Sequence, residues 1–347
     1  MNKADILAKA ASLDTLLGVA VVGEVFGDDF LEGMIFQKGD FSQVRFSGTH
    51  MRDSFFSHCR FAAAQFSGVD LSGARFDHCE FEGAVFDGAK LDDLKLMSCA
   101  LRGAIFSNCS AVDLGLIDCD ARDSKWQGQV LSEADFMESR LEGADFSNAD
   151  LSKASFFHLD MHGLNLKGAI LREVMFSGCK LSGYDLSGQD ISGAQFNEGI
   201  LDDVDFSRCR MDMCNFTDAK VNQCRFDGAQ IANSLFVNAE IRDTSFEQAV
   251  FTQSLWNGAR VQDTSYAQAR LDMSSFGKAV IERCNFKRVD LRYADLSYAV
   301  LQRCNFTDVS LERTRFHRAV TDDESIKRRV GAIERDDELF EAEIWSA

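Results

Sequence analysis

The chain has 347 residues, of which 46% are apolar and 27% charged, the balance of a folded, water-soluble protein rather than a disordered one. Its formal net charge of −18 disfavours unaided binding to nucleic acid or to an anionic membrane. The best apolar run, residues 16–22, falls far short of the roughly 20 residues a membrane span needs, and eleven cysteines without a secretory leader point to free thiols in a cytoplasmic protein.

The N-terminal segment, residues 1–30, places Ile6, Leu7, Ala10, Leu13, Leu16 and Leu17 on one face of a helix, and Gly18 follows where a helix would end. A short capping helix is expected there, leading through Val19–Phe26 as a first irregular turn of the repeat region.

From residue 31 to residue 320 the sequence repeats every five residues. At numbers ending in 1 or 6 from Phe36 to Phe316, 55 of 57 positions carry a large apolar side chain, the exceptions being Ala111 and Ala121. Two residues earlier, at numbers ending in 4 or 9, 49 of 57 positions hold Ala, Cys, Ser, Thr, Val or Gly, and all eleven cysteines fall in that column. Neither a helix of period 3.6 nor a strand of period 2 produces this pattern. One large and one small side chain per pentad is what a narrow square coil can hold inside, with four pentads closing one turn. The cysteines are then small interior residues, and the series Cys59, Cys79, Cys99, Cys119 stacks along one wall at about 4.8 Å per turn, too wide and too even for a tetrahedral metal site. Ala111 and Ala121 share the interior with Trp126 and Gln129, and Tyr184 and Gln189 are later misfits. Repacking by Leu114 and Leu116 is one reading of these positions, and a local bend or bulge is the other.

Units such as Ala144-Asp145-Phe146-Ser147-Asn148 and Ala294-Asp295-Leu296-Ser297-Tyr298 resemble the A-[DN]-[LF]-x-x consensus of the pentapeptide-repeat family. The resemblance covers about residues 32–318. It implies an all-β fold, a single right-handed quadrilateral β-helix with four pentads to each turn. Fifty-seven pentads would make about 14 turns and a rod about 70 Å long at strand spacing.

In the C-terminal segment, residues 321–347, Thr321 and Glu324 stand at capping-box spacing, and Ile326, Val330, Ile333, Phe340 and Ile344 recur at helical intervals with Gly331 as a break. The segment reads as a cap over the open end of the coil. Leu339, Phe340, Ile344 and Trp345 exceed what a lid needs, and the resemblance implies a second role for them, because related family members form homodimers through C-terminal helices.

No constellation for chemistry stands out. The six histidines, His50, His58, His78, His158, His162 and His317, all fall where the repeat turns outward, and Cys59 and Cys79 beside two of them point inward, so no Cys–His nucleophile is expected. Carboxylates spread over a convex wall lack the dry cleft that tunes a catalytic acid. The expectation is a protein that is not an enzyme and carries no cofactor, catalytic residue or metal site.

What remains is surface. Met97, Ile117, Met137 and Phe157 take the same outward position on four successive turns where Ser, Thr or Asp is expected, and Leu235, Val237 and Leu255 repeat the theme farther along. This is a candidate protein-docking strip, weighed against chance greasiness of the wall. Charge is uneven as well: residues 1–200 hold 17 basic and 30 acidic side chains, a net −13, while residues 201–320 hold 16 of each. The resemblance implies two kinds of function. One is a bacterial adaptor or scaffold presenting flat faces to protein partners, a type that also occurs beside contractile secretion systems. The other is DNA mimicry that inhibits or protects gyrase, for which Asp70, Glu82 and Asp113 are the candidate charges. The leading expectation is the adaptor, binding protein and neither nucleic acid nor membrane.

Overall fold

The computed structural model describes residues 2–10 and 15–346. They form two compact units, Met1–Met175 and Phe176–Ala347. Each is a parallel β-solenoid, and together they hold about 16 turns rather than the 14 counted from the pentads. The excess arises at the ends, where the coil begins before and continues past the regular repeat.

In the first unit the helix α1, Lys3–Ala10, precedes the coil. Asn2 and Asp5 cap it reciprocally, the Asp5 amide donating to Asn2 Oδ1 and the Asn2 amide to Asp5 Oδ2, each at 3.0 Å. Ile6 is fully buried, and Lys3 donates to the Val25 carbonyl at 2.8 Å and pairs with Asp29 at 2.7 Å. The helix does not run on to Gly18 as the apolar spacing predicts. Leu16–Leu17 is already a strand, in register with Phe36–Gln37, and Gly18 (φ +65°) is a coil corner rather than a helix cap; strand pairing with the next turn outweighs the helical pattern there. Leu13 lies outside the described residues.

The inner columns are as the pentads place them. All 57 positions from Phe36 to Phe316 are buried, and so are Leu16, Val21, Phe26 and Leu31 before them. Rings stack along each wall, Phe36 on Phe56 at 4.8 Å and 2°, and meet the next wall edge to face, Phe56 on Phe61 at 5.4 Å and 78°. Both arrangements are favoured, by about 0.5–1.5 kcal/mol per pair beyond burial. Corner residues, at numbers ending in 3 or 8, adopt positive φ whether glycine (Gly48, +68°) or not (Asp53, +55°; His58, +52°), because every turn must close through four sharp corners.

Two kinds of corner occur. In the first, a three-residue strand runs into the corner. The first unit has two ladders of these, a seven-stranded sheet from Leu16–Leu17 to Asp135–Met137 and a five-stranded sheet from Val25–Phe26 to Ile105–Ser107. The second unit has one such wall, eight strands from Lys180–Ser182 to Val320–Thr321. In the second kind, single bridges link the turns and the chain closes a tight turn, as where the Ala149 amide donates to the Phe146 carbonyl at 3.0 Å.

The coil containing Ala111 and Ala121 keeps its register, with Ser110 bridged to Val130 and Asp120 to Arg140. Leu114 and Leu116 are buried, and Trp126 stacks on Phe106 at 3.6 Å with its indole N–H donating to Ser124 Oγ at 2.8 Å. Large buried side chains thus surround the two alanines in sequence, and the unbroken register shows that no bulge forms. Gln129 is also satisfied, accepting from the Cys109 amide and donating to the Gln127 carbonyl, both at 2.8 Å. On this wall the corner changes from strand to tight turn at Trp126. In the second unit Tyr184 and Gln189 are only half-buried.

Past the regular repeat the chain departs from the expected pair of helices. Val320–Thr321 still pairs with Val300–Leu301 as a strand. Asp323, not Thr321, caps the following 3-10 helix Glu324–Arg328, accepting from the Ser325 amide at 3.1 Å. Ala332–Ile333 is a strand beside Thr314–Arg315, reached through Gly331 at φ +92°. The helix α2 occupies Asp337–Ser346. Ile326 is buried but Val330 is 99% exposed, so the apolar spacing across this segment is not one helix face.

Candidate functional site

The sheet that carries the apolar strip in the first unit fixes its geometry. Met97, Ile117 and Met137 are direct register partners on neighbouring strands, and Phe157 takes the same place in the sequence repeat one turn further on. The same column starts at Leu17, itself exposed, and runs through Gln37, Ser57 and Asp77 before the strip, so the wall turns from polar to apolar between Asp77 and Met97. The strip is half-buried by its own stacking, with only Met137 reaching 36% exposure. The sequence alone reads these side chains as pointing freely to solvent.

In the second unit Leu235 and Leu255 are bridged partners, and Leu255 is exposed. Val237 belongs to the column that continues through Asn257, Gly277, Ser297 and His317. The helix α2 lies over the end of that column. Ser297 and His317 are 3% and 2% exposed, and Val237, Asn257, Gly277 and Ser297 line a groove with Leu339 of the helix.

His317 keeps its outward position in the repeat yet is covered, which sequence spacing misses because the covering segment lies outside the repeat. Its Nδ1 accepts from the Asp336 amide at 3.1 Å, and its Nε2 stands 3.3 Å from Glu343 Oε1. Glu343 also accepts from Tyr298 Oη and from Arg318 Nε at 2.7 Å. Hydrogen bonds from Tyr298, Arg318 and His317 hold its carboxyl below the ordinary range. Of the four candidate dimerisation residues, Leu339 and Phe340 are half-buried, the latter under Arg335 at 3.6 Å, while Ile344 and Trp345 are 62% and 93% exposed.

The acidic surface is less free than its formal charge. Asp40 Oδ1 accepts from both the amide and hydroxyl of Ser42, which holds its carboxyl below the ordinary value. Asp145, Asp150, Asp190 and Asp295 tie the amide two residues on in the same way. The Asp of the repeat therefore locks the backbone of its own pentad. Among the candidate charges for DNA mimicry, Asp70 binds the Ser72 amide and sits 3.7 Å from Lys90, and Asp113 pairs with Lys95 at 2.9 Å.

Ten of the eleven cysteines are buried, and none forms a disulfide. Burial pushes the Cys109 and Cys209 thiols up to about 11 and those of Cys214 and Cys224 to about 12. Cys304 departs from the uniform interior column: it is half-buried, and a hydrogen bond from the Cys284 thiol holds it below the ordinary value. Among the described residues no helix is long and apolar enough to cross a membrane.

The chain belongs to the pentapeptide-repeat family. One family profile, described as a pentapeptide repeat region, matches residues 69–146 and 133–206, and another, described as pentapeptide repeats (8 copies), matches residues 40–77, 214–253 and 284–320. Among solved structures, a trypsin-treated form of QnrB1, a plasmid-mediated fluoroquinolone resistance protein, is similar at 22% identity over 52% of this chain and 90% of that one, with a TM-score of 0.35. HetL of the cyanobacterium Nostoc sp. strain PCC 7120, involved in heterocyst differentiation regulation, is similar at 16% identity over 90% of this chain and 96% of that one, with a TM-score of 0.18. Rfr23 of the cyanobacterium Cyanothece 51142 shares 14% identity over 42% of this chain and 97% of that one, with a TM-score of 0.22. No curated protein matches the chain.

Proposed function

We propose that the chain is a non-catalytic docking module that binds a protein partner along the wall carrying Met97, Ile117 and Met137. The observation behind this reading is register: three apolar residues stand partner to partner on adjacent strands, in a column whose three preceding members are Gln37, Ser57 and Asp77. A flat sheet face with a flexible, polarisable apolar strip and a polar margin has the composition of an interface core and rim. The pairing of Asp70 and Asp113 with lysines leaves less of the regular anionic comb that a duplex mimic requires, which weighs toward a protein partner. Cysteines that form no disulfide suit a reducing compartment such as the cytoplasm.

The test compares two variants. Ile117→Ser combined with Met137→Ser should weaken partner recovery at least about tenfold, since two lost apolar anchors are worth about 1.4 kcal/mol or more. Charge reversal at Asp70, Glu82 and Asp113 should leave partner binding and gyrase supercoiling unchanged. Undiminished partner binding by the serine variant, or gyrase inhibition that disappears on charge reversal, would sink the docking reading.

A further inference from the structure

On the wall of the first unit, one turn before the apolar strip, His58 and His78 occupy corners of successive turns. Their rings lie 4.9 Å apart between centroids, inclined by 35°. Asp77 stands between them, Oδ1 at 2.8 Å from His78 Nδ1 and Oδ2 accepting from Ser57 Oγ at 3.3 Å. One ligand atom from each of the three residues lies within 4.8 Å of the other two.

We propose that His58, Asp77 and His78 form a surface site for a borderline divalent transition ion such as Zn2+, Ni2+ or Cu2+. Two imidazoles and a carboxylate are the donor set such ions select over the all-oxygen sets of calcium and magnesium. Ligands bound at about 2.0–2.1 Å lie roughly 3–3.5 Å apart around the ion. The Asp77–His78 separation is already close to that, and both imidazoles are exposed, so the His58 ring can close the remainder by side-chain rotation alone. The backbones that carry the three are fixed. Ser57 and Asp77 are strand partners, and the His58 and His78 amides donate to the Asp77 and Met97 carbonyls at 2.8 and 2.9 Å. Ser57 holds one carboxylate oxygen, the outer-shell support that orients a metal ligand.

The fold has no need of imidazole at these corners. Gly48, Gly68 and Gly88 serve the same kind of position with φ of +61 to +68°, where glycine is the less strained residue. The neighbouring thiols do not compete, because Cys59 and Cys79 are 0% and 1% exposed on the inner side. Three protein donors on a convex surface leave the outward coordination positions open to water or to a side chain of a docked protein. Because Asp77 is the register partner of Met97, those positions adjoin the strip. The site stands on its own geometry, however, and does not depend on the docking proposal.

The experiment uses the full chain without a histidine tag, freed of metal by chelator. Titration calorimetry with Zn2+ should show one saturable equivalent, and Cu2+ at one equivalent should give an electron paramagnetic resonance spectrum split by two imidazole nitrogens. His58→Ala, His78→Ala and Asp77→Asn should each lower affinity at least about tenfold, while His162→Ala should match the parent. Circular dichroism separates lost binding from lost folding, and His58→Asn, with a side chain tolerated at positive φ, replaces any alanine variant that unfolds. The site is refuted by absence of saturable uptake, by uptake that survives all three substitutions, or by thiolate charge-transfer absorption on Co2+ binding, which would place the ion on cysteine.

Discussion

The wall of the first unit that carries Cys59, Cys79, Cys99 and Cys119 and the wall of the second that carries Cys209, Ala229, Ala249 and Ala269 solve one problem in two ways. In both, the amide of the small interior residue must find an acceptor out of reach of water. On the second wall the chain closes a tight turn, and the amides of Cys209, Ala229, Ala249 and Ala269 donate to the carbonyls three residues earlier at 3.1, 3.0, 3.2 and 2.8 Å. On the first wall a strand enters the corner and the next turn supplies the acceptor through a side chain. The Gly39 amide donates to Cys59 Sγ at 3.3 Å, Cys59 to Cys79 Sγ and Cys79 to Cys99 Sγ at 3.4 Å, and Cys119 to Ser139 Oγ at 3.1 Å. Each sulfur in turn donates to a carbonyl, Cys79 to that of Phe56 at 3.4 Å. Alanine suffices at a tight turn; a strand corner rewards a small side chain that both accepts and donates. Eight of the eleven cysteines, all but Cys179, Cys209 and Cys214, follow a strand corner.

The largest expected effect tests what the two walls share. If both kinds of corner leave the same columns inside, Phe146→Asp should cost several kcal/mol or prevent folding, because an unpaired carboxylate cannot be buried there. Ser147→Ala should stay within about 0.5 kcal/mol. Asp145→Ala should fall between, near about 1 kcal/mol, since it loses the bonds to Ser147 and Asn165. Denaturant melts of the three variants check the order, and equal losses would break the assigned phase.

A smaller effect tests what separates them. Cys79→Ala removes the acceptor of a buried amide and should cost about 1–3 kcal/mol, with Cys79→Ser recovering much of it. Cys209→Ala should cost less, because the Gln189 amide beside it keeps its bond to the Leu186 carbonyl at 3.2 Å. Equal melts for Cys79→Ala and Cys209→Ala would dissolve the distinction between the walls. The smallest effect is on reactivity: one thiol, Cys304, should label rapidly in the native protein and the other ten only on denaturation. Mass spectrometry locates the label, and early modification of Cys79 or Cys209 would contradict their burial.

The inner columns were legible because a five-residue period forces them: the large-residue column from Phe36 to Phe316 is buried without a break, and the small-residue column opens only at Tyr184, Gln189, Cys304 and Val309. Corner type was not legible, since strand and tight-turn corners bury the same positions and both set positive φ at numbers ending in 3 or 8. The ends misled for a different reason. Leu16 and Leu17 fit a helical face as well as a strand, and only pairing with Phe36 and Gln37 decides. The closeness of Asp77 to His58 and His78 is faint in the sequence because the histidines adjoin Cys59 and Cys79, which face the other way; its signal is a place just before one histidine and one full turn after Ser57.

The sulfur ladder also gives the wall a direction. Each amide from Gly39 to Cys79 is satisfied by the residue one turn later, never by the one before. Severing such a wall therefore has unequal consequences at its two faces. The face toward the C-terminus keeps a backbone donor whose acceptor has been taken away, whereas the face toward the N-terminus keeps a weakly polar sulfur that has lost its incoming amide and the carbonyl of the preceding turn to which it donated. A whole turn duplicated within the ladder restores the sequence of donors and acceptors only if its small residue can do both, so lengthening this wall by copying a turn with alanine in that column would interrupt it, while copying one with cysteine or serine would not.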